Sequence, residues 1–316
     1  MSDLIINEIK IGPGENRVVN LNEYYLPTGA LMEIPTYVYR SKKEGPVILF
    51  MAGMHGEEVN GIEIMRNLIR AHHFENLLRG SVIIIPIVNV TSFIHKQREL
   101  PDGRDLNRCF PGSPRGSMGS RIAYDLMTQI VRQIDFGFDF HTGGAEINNY
   151  PQIRCDFRDK KGFALAQIFA APFIVNSQSR EKSLRKEAHD RGKPILVYEA
   201  GESNRLNKLG IDEGLFGCLR ILKHYRMIRQ EETIIPRPKT ILLKRDIWVR
   251  AKMSGLFRTS KKYGTFIEKD WVMGYTCDPY GKVQSELTAA ENCFLIGLNN
   301  QPVVNEGDAI LHLGME

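Results

Sequence analysis

The chain has 316 residues, long enough for two domains, with 42% apolar and 25% charged residues, the balance of an ordinary globular protein. Its net charge of +5 is dispersed along the chain, which argues against a nucleic-acid-binding face and leaves room for an anionic small molecule. No uninterrupted apolar run approaches membrane-spanning length. The N-terminus MSDLIINEIK lacks a signal-peptide plan, and five scattered cysteines without a CxxC pair fit reduced thiols in a cytoplasm.

Residues 1–45 read as short antiparallel edge strands: Leu4–Ile9, Arg17–Leu21 and Leu31–Tyr39. Val47–Met51 is a buried strand that turns at Ala52-Gly53 into His55 and Glu58, and a helix is predicted over Gly61–Arg70. Ser81–Val88 is a second apolar strand, so this strand–helix–strand order predicts an α/β layer with a parallel pair. A long polar stretch follows from Thr91 to Gly116, and loops of that length are usually functional. A helix over Ser117–Ile134 places Ile122, Leu126, Ile130 and Ile134 on one face. Phe136–Phe140 is a short strand running into His141, and Ile195–Tyr198 another running into Glu199. Helices are predicted over Lys161–Ala171, over Ser183–Arg191, and from Asp212 as N-cap to about Tyr225.

Beyond about Glu231 the periodicity changes to short β segments, with Thr233–Lys239 as a linker. The reading is therefore an α/β domain over 1–234 and a β domain over 235–316. A faint repeat runs through the tail. VRAKMSGLF (Val249–Phe257) is echoed by VQSELTAAE (Val283–Glu291), and IEKDWVMGY (Ile267–Tyr275) by VNEGDAILH (Val304–His312). Two similar half-units predict a small pseudo-symmetric barrel or sandwich.

His55, Glu58, His141 and Glu199 all fall after predicted strand ends, the edge of a parallel sheet where ligands bind. Two histidines and a glutamate make a three-ligand zinc set with a fourth position open, the catalytic arrangement. Glu199 is the candidate general base. Asp139, two residues before His141, can fix the tautomer of a ligand histidine. Arg98, Arg104, Asn107 and Arg108 offer donors for a substrate carboxylate.

GMHGEE (Gly53–Glu58), DGRDLNRCFPG (Asp102–Gly112), DFHTGG (Asp139–Gly144) and YEAG (Tyr198–Gly201) occur in an order and spacing that resemble the succinylglutamate desuccinylase/aspartoacylase family. The tail pieces RAKMSGLF, GYTCDPYG and QPVVNEGDAILHL resemble its C-terminal β domain. The resemblance implies a zinc-carboxypeptidase-like α/β fold, a mixed sheet flanked by helices, followed by a biotinyl/lipoyl-like β barrel or sandwich. It implies one zinc per chain on His55, Glu58 and His141, with Glu199 as general acid/base. Asn107, Arg108 and Arg98 would bind the substrate and polarise the scissile carbonyl of a small N-acyl amino acid. Here ELPDG separates Arg98 from Arg104, a departure from better-known aspartoacylases, so the roles of those two arginines can be exchanged. Arg154, in NNYPQIRCDF, stands where a bacterial subgroup often has a substrate-binding arginine.

Three other readings compete: a zinc carboxypeptidase acting on short peptides, a carrier module using Lys282, and a hydrolase fold that only binds ligand. No nucleic-acid or membrane partner is expected, and a homo-oligomer is compatible with the sequence.

Overall fold

A computed structural model describes residues 3–72, 74–229 and 235–316. The first two residues of the expected linker, Thr233 and Ile234, lie outside the described residues, as does the expected boundary at 234.

Val47–Ala52 shows how the chain builds its centre. Ile48, Phe50 and Ala52 point to one side of the sheet, and Leu49 and Met51 to the other. Both sides are covered, which is why the strand is apolar at every position. The first side packs against the helices Val59–Arg70, Lys160–Phe169 and Lys208–His224. The second packs against Met118–Asp125, Leu184–Asp190 and the N-terminal strands.

Val47–Ala52 lies parallel to Ser81–Ile85 on one flank and to Phe136–Gly143 on the other, and Ile195–Glu202 continues the parallel set. Ile147–Cys155 adds antiparallel beyond it. At the opposite edge Pro35–Arg40 and Asn16–Asn20 are antiparallel, as the edge-strand reading expects. The sheet is thus mixed, as anticipated.

The C-terminal strands extend the same sheet. Cys293–Asn299 pairs with the start of Ile147–Cys155, then come Ala309–Met315 and Arg245–Arg250, all antiparallel. A second sheet holds Gln284–Thr288, Val272–Cys277, Gly255–Arg258 and Val303–Val304. From Arg245 onward, after Ile241–Leu243 has joined the large sheet beside Phe173–Asn176, the first half of the tail alternates large sheet, small sheet, large, small. The second half runs small, large, small, large. The sequence echo therefore exchanges the two sheets.

Three expectations need correction. The helix of residues 117–134 is α-helical over Met118–Asp125, then widens to a π turn at Leu126–Ile130 and tightens at Val131–Gln133, although its four apolar residues are all buried. The last helix begins at Lys208, not after Asp212, because the Asn207 side chain caps it by accepting from Gly210 N–H. His141 and Glu199 do not follow strand ends but lie inside strands extending to Gly143 and Glu202. No described helix is long and apolar enough to cross a membrane.

Candidate active site

On Phe136–Gly143 the phenylalanines 136, 138 and 140 enter the first core cluster, so Asp139 and His141 face the other side. On Ile195–Glu202, Leu196, Tyr198 and Ala200 enter that core and send Glu199 to the same side as His141. His141 and Glu199 are register partners on adjacent parallel strands. Ile153 and Cys155 likewise face the core, and Arg154 pairs with Val197 on the site's side. Strand alternation, more than the strand ends, brings these residues together.

His55 and Glu58 arrive from the turn after Val47–Ala52. Gly53 takes a positive φ of 66° there. At Gly56 a side-chain carbon would come within 2.0 Å of the Ser92 carbonyl oxygen, so only glycine permits the approach. Gly56 N–H donates to the Gln97 carbonyl at 2.9 Å, fixing the segment that carries Arg98 over the site. Glu58 is the N-cap residue of the Val59–Arg70 helix, where the helix dipole favours a negative charge.

The three predicted ligands meet. His55 Nδ1 is 2.7 Å from Glu58 Oε1 and His141 Nδ1 is 2.7 Å from Glu58 Oε2. The other ring nitrogens are also engaged, His141 Nε2 with Asp139 Oδ2 at 2.8 Å and His55 Nε2 with Asp105 Oδ1 at 3.0 Å. If Asp139 and Asp105 accept the ring N–H groups, both Nδ1 lone pairs point at a carboxylate. Acceptors facing each other at that distance require protons or a cation between them. Two imidazoles and a carboxylate, all buried and converging, suit a metal ion.

With protons in that role, burial works against charging His55 and His141, yet the surrounding carboxylates outweigh it and raise both pKa values. Burial also works to raise Glu58, but the two imidazoles hold it well below the usual carboxylate range. Asp105 is depressed too: burial opposes it, and His55, Arg98 and the Asn107 N–H prevail.

Glu199 accepts from Asn149 Nδ2 at 2.7 Å, and its other oxygen is 3.6 Å from Arg154 Nε. These groups line one cleft of about 1180 Å³ with His55, Glu58, His141, Arg98, Asn107 and Arg108. Arg98 is held at both terminal nitrogens, with Nη2 donating to Asp105 at 2.9 Å and Nη1 lying 3.4 Å from Glu58. The Asn107 side-chain oxygen accepts from Leu184 N–H at 3.0 Å, leaving its NH2 as the end able to meet a ligand. Arg108 donates only to the Asn107 carbonyl and has no carboxylate partner among the described residues. Arg104 is not brought to this cleft: it reaches Ser117 at 3.2 Å and Asp102, with most of its side chain exposed.

Sequence reasoning missed Asp105, Asn149, Arg180, Arg185 and Trp248, all of which line the cleft. Asp105 had a signal, since it caps the Leu106–Arg108 turn by accepting from Asn107 N–H at 2.8 Å. Arg185 donates to the Arg154 and Gln178 carbonyls, and burial with the Arg154 charge pushes its pKa down to about 10. Trp248 comes from the C-terminal strands.

A mixed α/β sheet carrying a buried His–Glu–His cluster beside a second carboxylate defines a class of candidate metal-site proteins. The particular family is settled by comparison. The succinylglutamate desuccinylase/aspartoacylase catalytic domain matches residues 44–225, more than half of the chain, and the chain belongs to that family. It is 29% identical over 301 residues to the N-alpha-acetyl-L-2,4-diaminobutyric acid deacetylase of Halomonas elongata, covering 89% of this chain and 85% of the relative. A succinylglutamate desuccinylase/aspartoacylase structure from Rhodobacter sphaeroides superposes with a TM-score of 0.83 at 25% identity, covering 95% of both chains. The product-bound ectoine utilization protein EutE (DoeB) of Ruegeria pomeroyi shares the fold, with a TM-score of 0.81 at 22% identity over 93% of both chains.

Proposed function

We propose that this chain is a zinc-dependent hydrolase that cleaves the amide bond of a small N-acyl amino acid. The observation that carries this reading is the convergence of His55 Nδ1 and His141 Nδ1 on Glu58, each at 2.7 Å, beside the Glu199 carboxylate. The family membership and the deacetylase named for the Halomonas relative support it. His55, Glu58 and His141 would hold one zinc. When bound, zinc supplies a Lewis acid for a carbonyl oxygen and makes water acidic enough to attack near neutral pH.

The chain's own residues do the rest. Glu199, held by Asn149, takes the proton of the attacking water and returns it to the departing amine, so that a carboxylate and a free amine result. Asp139 and Asp105 keep the two imidazoles in the tautomer that presents Nδ1. Arg98, tied to Asp105 and Glu58, holds the turn against the site more than it reads substrate. Arg108 and the Asn107 NH2, with Arg154, are the donors left for a substrate carboxylate and for the scissile carbonyl. Arg104, at the surface, has no part in this scheme.

The division into 1–234 and 235–316 belongs to the same proposal, with the tail read as a biotinyl/lipoyl-like barrel or sandwich. The exchange of sheets between its halves supports that reading. Trp248, standing in the cleft wall, gives the tail a part in enclosing a small substrate and weighs against an open peptide groove. All five cysteines are free, which fits work in the cytoplasm.

The test is hydrolysis of N-acyl amino acids by zinc-loaded protein, with each acid compared against its amide. Replacing Arg108 by Ala should lower kcat/KM on the acids by about ten- to hundred-fold, the effect of one hydrogen bond to a charged group. The amides should be poor substrates even for the wild type. Equal rates on acid and amide would overturn the carboxylate reading and point to a general amidase.

A further inference from the structure

Glu199 is held by two groups, and both border one pair of side chains from the C-terminal strands. Asn149 donates to one carboxylate oxygen at 2.7 Å, and Arg154 Nε lies 3.6 Å from the other. Asn149 is the register partner of Gly297, Gly297 of His312, and His312 of Trp248. Register partners share a face, so this row continues the cleft side of the sheet into the tail. Gly297 has no side chain, and a carbon there would come within 2.9 Å of Asn149 Oδ1 and 3.0 Å of His312 Cβ. Asn149 and His312 therefore close in on one another across Gly297.

Asp246 completes the pair. It meets His312 Nε2 at 2.6 Å and, two residues before Trp248 on one strand, shares that residue's face. The same stretch is brought toward Arg154 by Phe173–Asn176. Val175 pairs with Arg154 on one side and with Leu243 on the other, and Asn176 Nδ2 donates to the Lys244 carbonyl at 3.2 Å. The Arg154 charge acts on both members of the pair. Burial raises the Asp246 pKa, but His312 and Arg154 hold it below its ordinary value; burial lowers His312, and Arg154 adds to that. Among the described residues, Arg154 has no carboxylate contact but the long one to Glu199, and its buried Nε has no hydrogen-bond partner. A guanidinium held so loosely gains a fixed orientation from a second counter-charge.

We propose that Asp246 and His312, from the C-terminal strands, are positioning residues for the hydrolytic site, with Asp246 as the counter-charge that keeps Arg154 beside Glu199 and turned to the substrate carboxylate. His312 fixes Asp246 through its ring nitrogen and through its stack on Trp248. Both act through Arg154 and not on the substrate. This rests on the deacylase reading above.

The experiment is a double-mutant cycle on zinc-loaded protein: wild type, Asp246→Asn, Arg154→Gln and the two changes combined. Asn keeps the shape of Asp and still accepts from His312, so the charge alone is removed. The kcat/KM is measured on N-acetyl and N-succinyl amino acids and on their amides. Asp246→Asn should lower it by about tenfold on the acids, mainly through KM, and by much less on the amides. In the Arg154→Gln background the same change should cost less than about twofold. Asp246→Glu should recover part of the loss. A merely structural Asp246 would cost the same factor in both backgrounds and on acids and amides alike, which overturns the proposal while the deacylase reading stands. NMR titration of the His312 ring runs alongside and does not depend on turnover. Its midpoint should rise in Arg154→Gln, because a positive neighbour is removed. A ring indifferent to Arg154→Gln overturns the pairing. If no acid is hydrolysed but the ring responds, the pairing stands and the deacylase reading falls; failure in both measurements overturns both.

Discussion

Two buried histidines make the same first contact and have opposite surroundings. His141 Nε2 meets Asp139 at 2.8 Å, and His312 Nε2 meets Asp246 at 2.6 Å. At the far side of the ring they part. His141 Nδ1 faces Glu58, while His312 Nδ1 is buried with no hydrogen-bond partner. The His312 ring instead lies flat on Trp248, with centroids 4.2 Å apart and planes 5° from parallel. Burial lowers the pKa of both, but for His141 two carboxylates reverse the effect, whereas for His312 burial prevails over Asp246 and Arg154 adds to it. A histidine–aspartate pair is thus not by itself a site. The second nitrogen decides, and only His141 turns it toward another buried acceptor. His312 instead backs the tryptophan that stands in the cleft wall.

The largest effect that sharpens this contrast is expected at the carboxylate facing the cluster. Glu199→Gln keeps the shape of the side chain and its neighbours but cannot take up a proton. It should retain metal and lose about 10²–10⁴-fold in turnover, the usual contribution of a general base. Turnover on the same substrate with metal content measured alongside checks this, and near wild-type rates would place the base elsewhere.

A smaller effect belongs to His312. It is held neutral in the fold, so the unfolded chain binds its proton more readily. Stability is therefore lost as the pH falls below the unfolded histidine value of about 6.5. Asp246, which burial pushes up but His312 and Arg154 hold below its ordinary value, titrates in a lower window and does not mask this. Denaturant titrations between pH 7.5 and 5 should show a shallower acid slope for His312→Asn than for wild type. The difference should be at most about 1.4 kcal/mol per pH unit, the limit for one proton. Identical slopes would mean that His312 takes up its proton as readily in the fold as in the unfolded chain, and that the contrast with His141 fails.

What was legible in the sequence follows the same physics. His55 and Glu58 are three residues apart on one turn, and His141 and Glu199 sit near the ends of apolar runs, so local pattern alone picks them out. Asn149 and Arg154 belong to Ile147–Cys155, which gave no strand signal because most of its positions before Ile153 are polar and Pro151 interrupts it at an irregular stretch between Asn149 and Gln152. A strand that lines a site loses the alternation that identifies strands. Trp248 and Arg185 carry no local mark, because their place in the cleft comes from long-range pairing of strands and packing of helices. In the long polar stretch, Arg98 and Arg104 looked equivalent. Only the fold shows Arg98 clamped by Asp105 and Arg104 turned to Ser117.

The most direct measurement is metal content of the purified, zinc-equilibrated protein by elemental analysis, in wild type, His141→Ala and His312→Asn, each checked for folding by circular dichroism. One zinc per chain is expected in the wild type and in His312→Asn, with most of it lost from His141→Ala. Full occupancy in His141→Ala, or no zinc taken up by the wild type, would contradict the assignment of His55, Glu58 and His141 as the metal site.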